Sequence, residues 1–182
     1  MFKSILVALD GSVPSNAGFK SALALAGDQD ARLVVLHVID SSAAVVGFEG
    51  GYVPPSYTET LYAGLRKSGE AILAKATAAA RSVHVNVESM LIDSRGEPVA
   101  HAILRAARKA KTDLIVIGTH GRRGLSRVLM GSDAEQVLRE ATVPLLLVRS
   151  TERARRRTTA AKKRTAPAAK TAAAPAPKRA AA

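Results

Sequence analysis

TDLIVIGTHGRRGLSRVLMGS, residues 112–132, is the stretch that decides the fold. Its apolar run Leu114–Ile117 breaks off at Gly118, and glycines follow in the spacing Gly118-x2-Gly121-x9-Gly131. Ser132 then starts a helical pattern. A buried strand, a glycine-punctuated loop and a helix N-terminus in that order make a phosphate site. Glycine lets backbone approach closely, while the unpaired N–H groups and positive dipole end of a helix face an anion. Glycines also serve as turns and caps, so spacing alone leaves an ordinary βα turn equally open. No Gly-Lys-Ser/Thr occurs, which disfavours P-loop hydrolysis, and the tight G-x-G-x-x-G of dinucleotide folds is absent too.

The rest of the first 150 residues repeats the strand-then-helix alternation. Ile5–Leu9 and Leu33–Ile39 are apolar runs, and Phe19, Ala22, Leu23 and Ala26 between them recur at helical spacing. A long helix is predicted at about 57–81, with Leu61, Leu65, Ile72, Ala76 and Ala79 on one side. Residues 83–92 read as the third strand. Gly96-Glu-Pro98 opens a helix whose inner stripe is Val99, Ala102, Ile103, Ala106 and Ala110. A last helix with Ala134, Val137, Leu138 and Ala141 precedes a fifth strand over 144–148. This order predicts an α/β fold, a single open parallel sheet with helices on both faces. Ligands of such sheets sit beyond the strand C-termini where strand order reverses. Asp10-Gly-Ser12 and Gly118–Gly131 both belong at that edge. The Gly/Pro-rich connection 40–56 reads as a lid, an oligomer contact or a mobile loop.

Composition divides the chain in two. The formal charge is +12, but residues 1–150 contribute only +3 of it and residues 151–182 contribute +9. The domains expected are therefore 1–150, folded, and 151–182, a disordered basic Ala/Lys/Arg/Pro tail without any large apolar residue. The chain has no cysteine, which removes disulfides and thiolate metal sites and fits a reducing compartment. The start reads as a core strand rather than a signal peptide, and a cytoplasmic location is expected. No apolar run reaches the length of a membrane span.

The pattern Gly118-Thr-His-Gly121, Gly131-Ser132-Asp-Ala-Glu135 resembles the nucleotide loop G-x2-G-x9-G-[S/T] of ATP-binding members of the universal stress protein family. Ile5-Leu-Val-Ala-Leu-Asp-Gly-Ser12, Leu36-His-Val-Ile-Asp40 and Val143-Pro-Leu-Leu-Leu-Val-Arg149 extend the resemblance over residues 1–150. It implies a Rossmann-like, adenine-nucleotide hydrolase-like fold with strand order 3-2-1-4-5, a homodimer through residues 143–149, and ATP, with Mg²⁺, as ligand. It further implies a stress-response regulator with at most slow ATP hydrolysis, not a fast enzyme, and assigns no catalytic residue. Residue by residue, Ala8, Leu9 and Asp10 match the turn at the adenosine. Val38 matches the position whose backbone meets the adenine edge. Gly118 and Gly121 match the ribose and phosphate side, and Gly131 and Ser132 the phosphate-binding helix start. Family binders often carry another hydroxyl residue two places after Gly-[S/T]. Here Asp133 and Ala134 follow, and the carboxylate either repels phosphates or meets Mg²⁺. The loop after the first strand also differs from the S-G-G-x-D-S of ATP pyrophosphatases, which disfavours ligation or sulfur transfer.

Individual side chains carry alternatives. Asp10 either binds ribose or metal, or makes an Asx turn, and Ser12 reads as a turn or cap residue. Arg123, with Arg122 and Arg127, either clamps phosphates or forms a solvated basic loop. His120 reads as a surface histidine. His37, His84 and His101 are scattered singly, and no chemistry is expected of them. The tail suggests a rival function, a nucleic-acid-associated protein whose dimeric domain anchors a polyanion-binding segment. Its lysines and arginines would release counterions from DNA without sequence preference.

Overall fold

In a computed structural model, residues 1–40, 55–119 and 130–149 are described. Residues 41–54 of the connection 40–56, together with His120, Gly121, Arg122, Arg123, Arg127 and the tail, lie outside the described residues. The elements are β1 (Ser4–Ala8), α1 (Val13–Gln29), β2 (Arg32–Ile39), α2 (Pro55–Ser82), β3 (Val87–Asp93), α3 (Val99–Lys109), β4 (Leu114–Gly118), α4 (Ser132–Glu140) and β5 (Leu145–Val148). All four pairings are parallel, in the order β3-β2-β1-β4-β5. No helix among the described residues is long and apolar enough to cross a membrane.

Period-two alternation along strands buried on both sides splits the core into two layers. Ile5, Val7, Leu33, Val35, Leu114 and Val116 point into one layer and meet α1 and α2. Leu6, Val34, Leu36, Ile115 and Ile117 point into the other and meet α3 and α4. α1 packs with small residues, burying Ser15, Gly18, Ala22 and Ala26 while Phe19 and Leu23 remain partly buried. The α2 contact runs through Gly69, Leu73, Ala76 and Ala80, a face shifted by about one residue from the predicted stripe. In α3 the buried set is Ala100, Ala102, Ile103, Leu104, Ala106 and Ala107, so Val99 and Ala110 of the predicted stripe sit at its margin.

The third strand begins later than its sequence suggests. The alternating run from Val83 is interrupted because α2 continues to Ser82 and the chain turns through His84 at φ 60°, leaving Val83 exposed. At the N-terminal edge of the sheet, polar side chains pin the strand starts. The Asp113 carboxylate accepts the N–H groups of Lys3 at 2.8 Å and Ser4 at 3.1 Å. Arg32 reaches Glu88 at 3.0 Å and the Ser4 hydroxyl at 3.0 Å, and donates to the Ala110 carbonyl.

Candidate functional site

The candidate site residues belong to the opposite, C-terminal edge. β1 ends with Leu9 N–H still donating to Leu36 O at 2.8 Å, and the chain then turns sharply through Gly11 at φ 81°. This left-handed position suits glycine. Asp10 closes the turn, its Oδ1 accepting Ser12 N–H at 2.9 Å, so the Asx-turn alternative describes its carboxylate here. Ser12 is the cap of α1, its Oγ accepting Ser15 N–H at 3.2 Å. Pro14 in the first turn has no N–H to leave unpaired.

β4 ends against this turn. A Cβ on Gly118 would lie 2.7 Å from the carbonyl carbon of Pro14 and 2.8 Å from Ser15 N. The absent side chain is what lets the start of α1 meet the end of β4. Gly18 lies one turn further along the same contact. Thr119 N–H then donates to Val148 O at 3.0 Å, and Thr119 O accepts Gly131 N–H at 2.9 Å. Both ends of the glycine loop are thereby tied together, and α4 starts beside the end of β4.

Gly131 caps α4 at φ −67°, ψ 148°, an extended conformation open to any residue. Nothing in its backbone therefore demands glycine. A glycine cap supplies no side-chain acceptor of its own, and the positive end of the α4 dipole stands at this edge. Asp133 and Glu135 bring carboxylates into the same turn, which favours the helix and opposes a bare anion.

Val38 stands on β2 two residues past the last β1–β2 pair, Ala8↔Leu36. Peptide groups of alternate residues in a parallel ladder point to the same neighbour. Leu36 O faces β1, where it accepts from Leu9, and Ile39 O faces β3, where it accepts Ser94 N–H at 2.9 Å. The Val38 N–H and C=O consequently point past the end of β1. Its side chain is buried in the α3–α4 layer.

Ala8, Leu9, Asp10, Val38, Gly118, Gly131 and Ser132 thus all lie at one edge of the sheet, and direct contacts join the start of α1 to β4 and β4 to α4. Gly121 and Arg123 belong to the undescribed stretch. Two side chains that sequence reasoning passed over also stand here. His37 is buried, with Nδ1 2.6 Å from Leu9 O. Asp93 ends β3 and accepts the hydroxyl of Tyr62 on α2, and this hydrogen bond raises the Tyr62 pKa above its ordinary value. A lone histidine or aspartate carries no spacing signal, and only the pairing of distant elements exposes these two. Groups of three or more His, Cys, Asp or Glu able to hold a metal are absent among the described residues.

A parallel sheet whose order reverses at β1 and β4, with polar turns at that point, defines a mononucleotide-type binding fold. The chain belongs to the universal stress protein family, whose model matches residues 1–149. It is 35% identical over 153 residues to Universal stress protein YxiE of Bacillus subtilis, covering 82% of this chain and 100% of that one. A universal stress protein family structure from Burkholderia pseudomallei is 35% identical, with a TM-score of 0.64 over 80% of this chain and 95% of that one. A family protein from Arabidopsis thaliana, solved with AMP bound, shares the fold at 17% identity, with a TM-score of 0.56 over 83% of this chain and 94% of that one.

Proposed function

We propose that residues 1–150 bind ATP at this edge and act as a nucleotide-dependent regulator in the cytoplasm, with binding, not turnover, as the working event. The observation that carries this reading is the meeting of the β1 turn, the end of β4 and the glycine-capped start of α4 at the β1/β4 reversal. The AMP-bound relative supports an adenine nucleotide as the ligand class. In this arrangement the Val38 N–H donates to adenine N1, and the Val38 carbonyl accepts from the N6 amino group. Ala8, Leu9 and Asp10 line the adenosine side. Gly118 and Gly121 flank the ribose and phosphates. The first-turn N–H groups at Gly131–Ser132, the Ser132 hydroxyl and Arg123 receive the phosphate oxygens. Mg²⁺ carried on the phosphates offsets the repulsion from Asp133. A ligand that stabilises one conformer shifts its population without any bond being made or broken.

A donor–acceptor pair at Val38 also predicts which base is chosen. Guanine presents N1–H and O6, the reverse of adenine at this edge, and would leave the Val38 groups facing like partners. Calorimetric titration of the full chain in about 0.3 M salt, which weakens non-specific contacts to the tail, tests the reading. The expected result is saturable binding of one Mg-ATP per protomer, with Mg-GTP about tenfold weaker or worse. Equal affinities would refute the base assignment, and no binding would refute the site.

β5 is an edge strand whose residues are all half-buried, and pairing with the same strand of a second copy through residues 143–149 would cover its open edge. The charge of residues 151–182 supports a second activity, contact with DNA or another polyanion. Two such segments in a dimer would act with increased avidity.

A further inference from the structure

We propose that His37 is a positioning residue for the adenine subsite: its imidazole holds the Leu9 carbonyl out of the β1–β2 ladder and so keeps the Val38 backbone available to the base. This rests on the nucleotide reading above. The next bond of a continued parallel ladder would run from Val38 N–H to Leu9 O, because Leu36 O has already taken Leu9 N–H. The register instead stops at Ala8↔Leu36, and Leu9 O lies 2.6 Å from His37 Nδ1. A carbonyl can only accept, so Nδ1 carries the hydrogen and the ring is the donor.

The ring is fixed in that role. His37 is 3% exposed and lies under α2 where that helix has no side chain. A Cβ on Gly69 would fall 2.5 Å from His37 Cδ2 and 3.1 Å from Nε2. Gly69 is thus the vacancy in α2 that accommodates the imidazole, and the helix in turn blocks its rotation away from Leu9. Leu9 is anchored as well, its side chain buried in the same layer. One strand residue therefore presents a side chain that occupies its neighbour's carbonyl, and the next residue presents the backbone that the carbonyl would otherwise have used.

The test compares full-length variants in about 0.3 M salt, with Mg-ATP and inorganic tripolyphosphate as probes and amide exchange at Val38 as a second readout. His37→Leu removes the donor and retains most of the volume. His37→Asn returns an N–H near the Nδ1 position. The expected result is an ATP affinity about tenfold weaker in His37→Leu, with tripolyphosphate affinity unchanged and Val38 exchange slowed as its N–H pairs with Leu9 O. His37→Asn recovers ATP affinity to within about threefold of the parent. Equal losses for ATP and tripolyphosphate would reveal general damage and overturn the proposal. So would a His37→Leu protein that binds ATP like the parent, an outcome that leaves the nucleotide site itself standing. A parent chain that binds no ATP overturns both. If His37→Leu does not fold, His37→Asn against His37→Gln makes the same comparison, since Gln carries its N–H beyond Leu9 O. Asn then matches the parent and Gln is about tenfold weaker, and equal affinities for the two overturn the proposal.

Discussion

Gly118→Val will destabilise the fold by about 3 kcal/mol, the upper end of what overpacking usually costs. The new Cβ would meet the Pro14 carbonyl carbon at 2.7 Å, Ser15 N at 2.8 Å and Pro14 Cβ at 2.9 Å. Two of those atoms are backbone in the first turn of a 17-residue helix, so relief requires α1 to move off β4. For a domain of this size the loss corresponds to a Tm lower by roughly 6–12 °C. Gly18→Ala is the matched control. Its Cβ would lie 3.6 Å from the nearest heavy atom, Gly118 N, an ordinary contact, and replacing glycine inside a helix favours the folded state by up to about 1 kcal/mol. Thermal unfolding of the two variants beside the parent decides the matter. A Gly118→Val Tm within about 2 °C of the parent would mean that the close approach of α1 and β4 is not tight in solution.

Gly131→Val will abolish ATP binding, weakening it by about a hundredfold or more, while leaving the fold intact. The two glycines differ in what requires them. At Gly118 the neighbour is protein, whereas at Gly131 the backbone, at φ −67° and ψ 148°, is one that valine adopts freely. Losing glycine as a cap costs at most about 1 kcal/mol. If phosphates bind at the start of α4 as proposed, a branched side chain there would stand between their oxygens and the first turn of the helix. Calorimetry with Mg-ATP and a thermal scan on the same sample give both numbers. Retained affinity would show that phosphates do not lie against this cap, and a collapse of Tm would show that the glycine serves packing.

The fold was legible because its signals are local and repeated. Apolar runs such as Leu114–Ile117 are short enough to be strands, and small residues at helical spacing separate them. Parallel order followed from the alternation itself, and the resemblance supplied the sequence of strands. The misplacement of β3 has a definite cause. Val83, Val85 and Val87 alternate as a strand would, but the first two belong to the turn after α2 and to the core beneath it, and a left-handed residue at His84 separates the patterns. Histidine is enriched at positive φ, but a single histidine is too weak a signal to break an alternating apolar run.

At the site, glycine spacing pointed to the β4–α4 loop, and the structure distinguishes its glycines by cause. Gly118 is required by Pro14 and Ser15, and Gly131 by nothing in its own conformation. Asp10 kept two readings in the sequence, and its bond to Ser12 N–H establishes the turn. His37 was passed over because its significance depends on Leu9 and Gly69, residues 28 and 32 positions away that only the folded sheet and helix bring to it. A single histidine in an apolar strand has no spacing to betray it.

The most direct measurement is an amide chemical-shift titration of the full chain with ATP in about 0.3 M salt. The predicted result is saturable perturbation at Leu9, Asp10, Val38, Gly118, Thr119, Gly131 and Ser132, with the N-terminal edge around Asp113 and Arg32 unmoved. Shifts confined to residues 151–182, or none, would contradict a nucleotide site at the C-terminal edge of the sheet.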